Sequence, residues 1–436
     1  MPERDTIYAL ASARGRAGVS VIRVSGPRAF AAGRKLAGDL PPARHTRLAL
    51  LADPDSGEKL DQSLVITFAE NASFTAESTV EFHTHGSPAV ITSVLRALSR
   101  IPGLRLAEPG EFTRRALEAG NLDLAQVEGL ADLLEAETEA QRRQAFRIMR
   151  GAVADLAERW RSDLVRAQAL VAATIDFADE DVPEDVSGEV QALLGGVMES
   201  VRDEIRRGRR GERVRDGFEV ALVGRPNSGK STLLNCIAGR DVALTSEIEG
   251  TTRDVIELRL DLRGIPVTLL DTAGLHDPAN RLDALGVERA KQRANDSDLR
   301  VFLLQPQDKV DDLLVDAKYE DLVVNGKCDL NGLRSGLSVS GKTGEGVGTL
   351  LDRIADILAR RVEGNAVMIR ERHRQCLAAA LADLESAANH VCSGPDLADL
   401  AAEDLRRATR SLDSLLGRVD TEDILDEVFK SFCLGK

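Results

Sequence analysis

The chain has 436 residues, of which 43% are hydrophobic and 29% are charged, and its formal net charge is −14. This length suffices for two to four domains, and the negative charge argues against a large non-specific nucleic-acid surface. There is no signal-peptide pattern, no apolar run near the roughly 20 residues that cross a bilayer, and no Cys-x-x-Cys pair, so we expect a cytoplasmic protein with no membrane partner.

The N-terminal region, residues 1–118, is predicted to be an α+β domain because short β-branched runs alternate with turn residues. The runs are Val19–Val24, Leu64–Phe68 and Thr79–Phe82. A helical stretch from Ala89 to Leu98 follows the last run. His83 and His85 stand two apart on one strand face, but without a third ligand we expect a structural or substrate-contact role rather than a metal site.

Two regions of helical texture, residues 119–216 and 365–436, are predicted to be the two halves of one helical domain. Residues 123–177 contain no proline and carry leucines at helical spacing, which predicts long helices with a break near Gly151. The basic stretch Arg206–Arg210 is interpreted as a solvated linker ahead of the next domain, with a nucleic-acid or partner patch as the alternative.

Between these halves, residues 217–364 alternate strand-like and helical runs, which predicts an inserted α/β domain. Its phosphate-loop pattern, G-x-x-x-x-G-K-[ST], occupies Gly224–Ser231 between an apolar run and a helical segment. In such a loop, backbone N–H groups and the lysine bind phosphate oxygens, and the last hydroxyl reaches Mg²⁺. The candidate nucleotide-binding residues here are Asn227, Ser228, Gly229, Lys230, Ser231 and Thr232.

Elements farther along the chain indicate that the nucleotide is GTP. Asp271-Thr272-Ala273-Gly274 follows a strand, where the aspartate reaches Mg²⁺ through water and the glycine N–H faces the γ-phosphate. Asp329 in Lys327-Cys328-Asp329 can accept both N–H groups of the guanine edge, which adenine does not offer. The remaining candidates are Thr251 and Thr252 in a switch segment, and Ser340, Gly341 and Lys342 in a second base loop.

Two positions depart from the usual GTPase pattern. Gly326 stands where Asn-Lys-x-Asp has its asparagine, and Asn325 comes one place early. We expect guanine preference to survive through Asp329, and the alternative is that the base is not recognised. Leu275 follows Gly274 in place of a water-orienting glutamine, so hydrolysis needs another group to position water.

The assembled motifs resemble those of the MnmE (TrmE) family of tRNA-modification GTPases over essentially the whole chain. The phosphate loop, Gly250–Asp254 and Asp271–Leu275 occur in related GTPases too. The more specific motifs are Asp5–Ile7, Gly15–Val19, Ile22–Gly26, Pro109–Ala116, Leu122–Gln126 and the terminal Cys433–Lys436.

The resemblance implies a homodimer whose subunits have an N-terminal folate-binding α+β domain, a long-helix domain and an inserted Ras-like P-loop GTPase domain. It also implies a FAD-binding partner of the MnmG (GidA) kind in a hetero-oligomer that modifies C5 of the wobble uridine, position 34, of certain tRNAs. A tetrahydrofolate derivative, 5-formyl or 5,10-methylene, would supply the one-carbon unit. GTP hydrolysis would depend on Mg²⁺ and K⁺.

The resemblance also implies roles in hydrolysis for residues at positions that match the family's motifs. Mg²⁺ would be bound by Ser231 and Thr252, and K⁺ by Asn227, otherwise a turn residue, together with the loop that contains Ser246, Ile248 and Thr251. The water-orienting acid falls on Asp283, where glutamate is usual; the alternatives are Glu288 in that role and Asp283 as a surface acid.

The same comparison implies that folate contacts Arg23, Glu81, Asn121 and Lys436. Arg23 as a strand-end surface charge and Glu81 as a cross-strand pair are the alternatives. Cys433 is implied to be a functional thiol, with an inert terminal cysteine as the alternative. A different function class also stays open: a GTP-controlled switch that governs assembly of a complex without one-carbon chemistry. Folate binding separates the two.

Overall fold

The structure is a computed structural model. It describes residues 5–176, 187–244, 257–271, 288, 291–310, 313, 315, 317–332, 335–362, 366–419 and 435. The chain divides into two compact units: Met1–Ala131 together with Leu416–Lys436, and Asp132–Leu415. Within the described ranges, no helix is long and apolar enough to cross a membrane.

The first unit is built on a six-stranded sheet in the order β3-β4-β5-β2-β1-β6. Neighbouring strands are antiparallel except for the parallel pair β1–β6. The strands are β1 (Thr6–Leu10), β2 (Ala17–Ser25), β3 (Thr46–Ala52), β4 (Lys59–Phe68), β5 (Thr79–Gly86) and β6 (Leu104–Leu106). The predicted strands are confirmed, and the predicted helix is α2 (Pro88–Ser99), which follows α1 (Ala29–Ala37).

Both faces of this sheet are covered, by different elements. Side chains of a strand alternate between faces, so Ile22 and Val24 of β2 are buried on one side and Arg23 lies on the other. α1 and α2 pack against Ile22 and Val24. On the opposite face, α3 (Glu111–Glu118) places Phe112 against Ile7 and Ala9 of β1. Arg23 therefore shares a face with α3.

Long helices follow, with the predicted break at Gly151 and one that was not predicted. They are α4 (Leu124–Glu135), α5 (Glu139–Met149), α6 (Ala152–Asp176) and α7 (Ser187–Asp216). Gly151 has a φ of +96°, which suits glycine and confirms the break there. The second break comes at Thr138, whose hydroxyl and backbone form a reciprocal cap with Gln141 at the start of α5.

The interpretation of Arg206–Arg210 as a linker is wrong, because the whole stretch lies inside α7. Its central Gly208 is buried: a Cβ there would collide with the carbonyl oxygen of Met368. Arg206 and Arg207 also pair with acidic residues one turn earlier in α7, which favours the helical conformation of this stretch.

The inserted domain has a second six-stranded sheet in the order β12-β11-β10-β7-β9-β8. Only β8 runs antiparallel to its neighbour. The strands are β7 (Phe218–Val223), β8 (Glu257–Leu262), β9 (Ile265–Asp271), β10 (Leu299–Leu304), β11 (Leu322–Asn325) and β12 (Leu337–Ser338). Because β7, β10 and β11 are adjacent and parallel, the loops that follow them meet at one edge of the sheet.

This domain also contains helices α8 (Lys230–Ala238), α9 (Cys328–Asn331) and α10 (Val347–Val362), and residues 291–296 are helical as well. The chain then re-enters the helical region through residues 366–369, which are buried and lie along α7. A Cβ at Gly211 of α7 would lie 2.6 Å from Cγ2 of Ile369, so a small residue is needed at this crossing. α11 (Glu371–Ser393) and α12 (Ala398–Asp413) pack against α7 and α6, respectively.

Candidate functional site

The phosphate loop connects β7 to α8 and has the backbone that close approach to an anion requires. Gly229 caps α8 with a φ of +107°, and Asn227 is left-handed with a φ of +59°. A Cβ at Gly224 would lie 2.6 Å from the carbonyl oxygen of Leu303, so the loop starts in tight contact with β10. The unpaired N–H groups at the start of α8 face the loop, as in an anion-binding helix terminus.

Lys230 is buried beneath this loop. Its ammonium group donates to the carbonyl oxygens of Gly224, at 2.8 Å, and Arg225, at 3.3 Å. Burial lowers the pKa of Lys230, although the nearby charge of Asp271 acts in the opposite direction. The loop therefore holds its own cation at the place where phosphate oxygens are expected.

Ser231 and Asp271 form a pair suited to a magnesium ion. The Ser231 hydroxyl donates to Oδ2 of Asp271 at 2.9 Å, and Asp271 is only 2% exposed. Its other oxygen, Oδ1, is buried and has no hydrogen-bond partner among the described residues. An orphaned carboxylate oxygen beside a hydroxyl is a fit for a hard divalent cation, which prefers oxygen ligands.

A cavity of about 180 Å³ joins the phosphate loop to the predicted base loops. Its lining includes Ser228, Gly229, Thr232, Lys327, Asp329, Gly341 and Lys342. The stem of Lys327 lies over the phosphate loop, since a Cβ at Gly229 would be 3.8 Å from its Cγ and Cε. Residues separated by about one hundred positions in sequence thus surround one space.

The second base loop is held by its own hydrogen bonds. Ser340 is fully buried, and its hydroxyl accepts the N–H groups of Lys342, at 3.2 Å, and Thr343, at 3.1 Å. A Cβ at Gly341 would lie 2.6 Å from the backbone nitrogen of Leu233 in α8. Ser340 thereby shapes the loop, while Gly341 lets it contact the phosphate-loop helix directly.

The early asparagine does not take part in this cavity. The Asn325 amide donates to the carbonyl oxygen of Ser335 at 3.3 Å. Two residues absent from the sequence-based candidates connect the loops instead: Gln305, directly after β10, and Asn331, at the end of α9. A polar residue immediately after a buried parallel strand is the sequence signal that could have identified Gln305.

In the N-terminal unit, Arg23 and Glu81 lie side by side on β2 and β5. They are register partners, and Arg23 Nε is 2.9 Å from Glu81 Oε1. The guanidinium carbon of Arg23 is 5.4 Å from the ring centre of Phe112 and 5.8 Å from that of Phe74. His83 extends the row, with Nε2 at 3.3 Å from Glu81 Oε2. The cross-strand pair given above as an alternative is therefore present, and two phenyl rings lie near its arginine.

Asn121, another predicted residue, lies near this group, and Gly435 of the C-terminal motif lies at the end of β1. Asn121 donates to the carbonyl oxygens of Ser73 and Phe74 at 3.2 and 3.1 Å, so it fixes the segment that carries one of the rings. Gly435, with a φ of +100°, packs so closely on the end of β1 that a Cβ would collide with the carbonyl oxygen of Leu10. The preceding residue of β1, Ala9, is the register partner of Arg23.

An ion-pair network holds α3, the helix that carries Phe112, to Glu77 and to Arg105 of β6. Arg115, 5% exposed, pairs with Glu77 at 3.0 Å and Glu111 at 2.8 Å. Burial alone would raise the pKa of Glu111, but hydrogen bonds from Arg105, the Glu108 N–H and Arg115 lower it to about 2. Glu111 is therefore charged at neutral pH and anchors both arginines.

Several predicted site residues lie outside the described residues. They are Ser246, Ile248, Thr251, Thr252, Thr272, Ala273, Gly274, Asp283, Cys433 and Lys436. Their roles stay predictions. Of Glu288, the structure records only an exposed helical position.

Comparisons with known proteins cover both units of the chain. Residues 6–121 match the family model described as the GTP-binding protein TrmE N-terminus, and residues 124–433 match the MnmE helical domain. The chain belongs to the MnmE family. Similar MnmE relatives include the proteins named tRNA modification GTPase MnmE from Cereibacter sphaeroides and Roseobacter denitrificans. They are 57% and 54% identical to this chain, and each alignment covers 99% of it and 100% of the relative.

One solved structure that this chain resembles shares a smaller part of it. Era from Aquifex aeolicus, bound to GDP and AlF₄⁻, aligns with 32% of this chain and 56% of that chain. The sequence identity is 26% and the TM-score is 0.27.

Proposed function

We propose that this protein is a K⁺-dependent, Mg²⁺-assisted GTP hydrolase that modifies C5 of the wobble uridine of certain tRNAs with a FAD-binding, MnmG-like partner. A tetrahydrofolate derivative would supply the one-carbon unit. The observation that carries the nucleotide part is the single cavity shared by the phosphate loop, Asp329 and Gly341. Full-length similarity to proteins named tRNA modification GTPases also supports the proposal.

The protein's own residues account for nucleotide binding as follows. The N–H groups at the start of α8 and the Lys230 ammonium bind phosphate oxygens. Asp329 accepts the N–H groups of guanine at the far end of the cavity. Ser231 and Asp271 would hold Mg²⁺, directly and through water, and the ion would neutralise charge on the β- and γ-phosphates.

The potassium dependence can be tested at Asn227, whose side chain is exposed and whose backbone is left-handed. Asn227→Gly removes the amide yet suits that backbone, so the fold should be kept. We expect the wild type to hydrolyse GTP faster in K⁺ than in Na⁺ and the variant to lose this difference. Equal wild-type rates in the two salts would contradict the potassium dependence, and a K⁺ effect that persists in the variant would contradict the role of Asn227.

For folate, the proposal rests on Arg23, whose guanidinium lies near two phenyl rings, and on Glu81, which pairs with it. A guanidinium can pair with a carboxylate or ring carbonyl, and a carboxylate can accept the pterin's amine and N–H groups. Calorimetry with 5-formyltetrahydrofolate should show binding that Arg23→Ala abolishes. Arg34→Ala, which changes an exposed arginine of α1 in the same unit, is the matched control and should bind as the wild type does.

The tRNA reaction has a direct test in cells that lack this protein. Nucleoside analysis of their tRNA should show unmodified wobble uridine. Expression of the wild type should restore the modification, and expression of Arg23→Ala should not. Unchanged tRNA together with absent folate binding would favour the GTP-controlled assembly switch instead. Homodimerisation, the FAD-binding partner and the cytoplasmic location are parts of the same proposal, and co-purification with the partner tests the assembly.

A further inference from the structure

A relay of side-chain amides joins the phosphate loop to the base loop. Gln305 donates from Nε2 to the carbonyl oxygen of Ser228 at 3.0 Å. Its Oε1 accepts from Nδ2 of Asn331 at 3.2 Å, and the same nitrogen donates to the carbonyl oxygen of Gly326 at 3.2 Å. The relay therefore links the first loop to both ends of the segment 326–331, which contains Asp329.

We propose that Gln305 is a positioning residue for guanine recognition in this chain, in which position 326 has no side chain to hold the base loop. The proposal deepens the proposed function, since it assumes that guanine occupies the cavity beside Asp329. Gln305 acts on the base indirectly, by holding the distance between Ser228 and Asp329.

Gln305 is well placed for this because β10 lies between β7 and β11. The residue that follows β10 is therefore flanked by the phosphate loop on one side and the base loop on the other. Its backbone is fixed too, because the Gln305 N–H donates to Oδ2 of Asp308 at 2.8 Å. Asp308 in turn lies 3.5 Å from Nε of Arg225 in the phosphate loop.

The glycine at 326 and the glutamine at 305 are complementary in shape. A Cβ at Gly326 would lie 3.0 Å from Nε2 of Gln305 and 3.1 Å from Cδ1 of Leu303. Contacts this tight are uncommon, so a side chain at 326 requires the amide of Gln305 and the side chain of Leu303 to shift by a few tenths of an ångström. Asn325 offers no substitute, because its amide is bound to Ser335.

The first experiment removes the donor and keeps the shape of residue 305. In Gln305→Glu the carboxylate cannot donate to Ser228, and loss of this link should weaken GDP binding about 10-fold. Gln307→Glu, an exposed position two residues along, adds the same charge and should stay within about 2-fold of the wild type, the scale of a screened surface charge. Mg²⁺-tripolyphosphate, which has no base, should bind all three proteins equally. A general loss of stability would instead weaken the binding of both GDP and Mg²⁺-tripolyphosphate.

The second experiment tests complementarity with a double-variant cycle. Gly326→Asn alone should weaken GDP binding, because its side chain meets Gln305. With Gln305→Ala added, the asparagine gains the emptied space, and affinity should return to within about 3-fold of the wild type instead of falling further. Additive losses, or Gln305→Glu binding as tightly as Gln307→Glu, would overturn the inference alone. A wild type that does not bind GDP would overturn the proposed function with it.

Discussion

Replacing Asp271 by asparagine removes the charge of this side chain but keeps its hydrogen bond. Asparagine has nearly the same shape, and its oxygen can still accept from the Ser231 hydroxyl, which lies 2.9 Å from Oδ2 in the wild type. The charge is lost at a site that is 2% exposed and where Oδ1 has no hydrogen-bond partner among the described residues. We therefore expect only a small fall in melting temperature without nucleotide, because the hydrogen bond to Asp271 is kept and only its attraction to the charge of Lys230 is lost.

Binding of Mg²⁺ should respond far more strongly. Changing a group that orients a metal or its waters commonly lowers metal affinity about 10- to 100-fold. Titration of Mg²⁺ into the protein with a fluorescent GTP analogue should show a half-saturating Mg²⁺ concentration raised by this factor. In EDTA the analogue should bind the variant and the wild type to similar extents.

Asp241→Asn is the matched control, because it neutralises an exposed aspartate just after α8. It should reproduce the wild-type Mg²⁺ titration. If Asp271→Asn also gave the wild-type curve, Asp271 would not serve the metal, and its unpartnered oxygen would need another explanation.

Three further changes test other parts of the structure. Glu111→Gln should destabilise the protein at neutral pH. The pKa of Glu111 is about 2 in the folded protein against an ordinary 4.5, so the wild type loses this stabilisation as pH falls. The difference in melting temperature between variant and wild type should therefore shrink between pH 4.5 and pH 2. Gly435→Ala introduces a collision at the end of β1 and a strained φ, at a cost of about 1–2 kcal/mol. Calorimetry should therefore show 5-formyltetrahydrofolate binding about 10-fold more weakly, and an unchanged affinity would contradict a role for the C-terminal motif in folate binding. Gly341→Ala forces its loop away from α8, so GDP affinity and melting temperature should both fall. Gly348→Ala on α10, whose Cβ would make only an ordinary 3.8 Å contact with Nη1 of Arg240, should leave GDP affinity unchanged; equal effects of the two would refute the reasoning.

Local patterns predicted the elements whose signals lie within a few residues. The phosphate loop was placed correctly between a strand and a helix, because the glycines and the apolar run are contiguous. The break at Gly151 was also predicted from the sequence. The additional break at Thr138 was missed, since a single threonine cap is a weak signal inside an otherwise helical stretch.

Features that depend on contacts between distant residues were harder to predict. Arg206–Arg210 looked like a linker because its charges and glycine suggest solvent exposure, whereas Gly208 is buried against Met368, 160 positions later. Gln305 was not among the candidates, because its role depends on β10 lying between two other strands. Arg23 and Glu81 were chosen by resemblance, and the sequence did not indicate the two phenyl rings beside them.

The crossing of residues 366–369 over α7 bears on how such a chain can be rearranged. The inserted domain leaves the helical region at the end of α7, and the returning chain lies against Gly208 and Gly211 of the same helix. The points where the chain leaves and returns are therefore neighbours, so removal of the inserted domain would leave only a short gap to close. A chain with residues 217–365 replaced by a brief glycine-serine connection should retain the helical core, which would allow the remainder to be purified and studied without its nucleotide-dependent part.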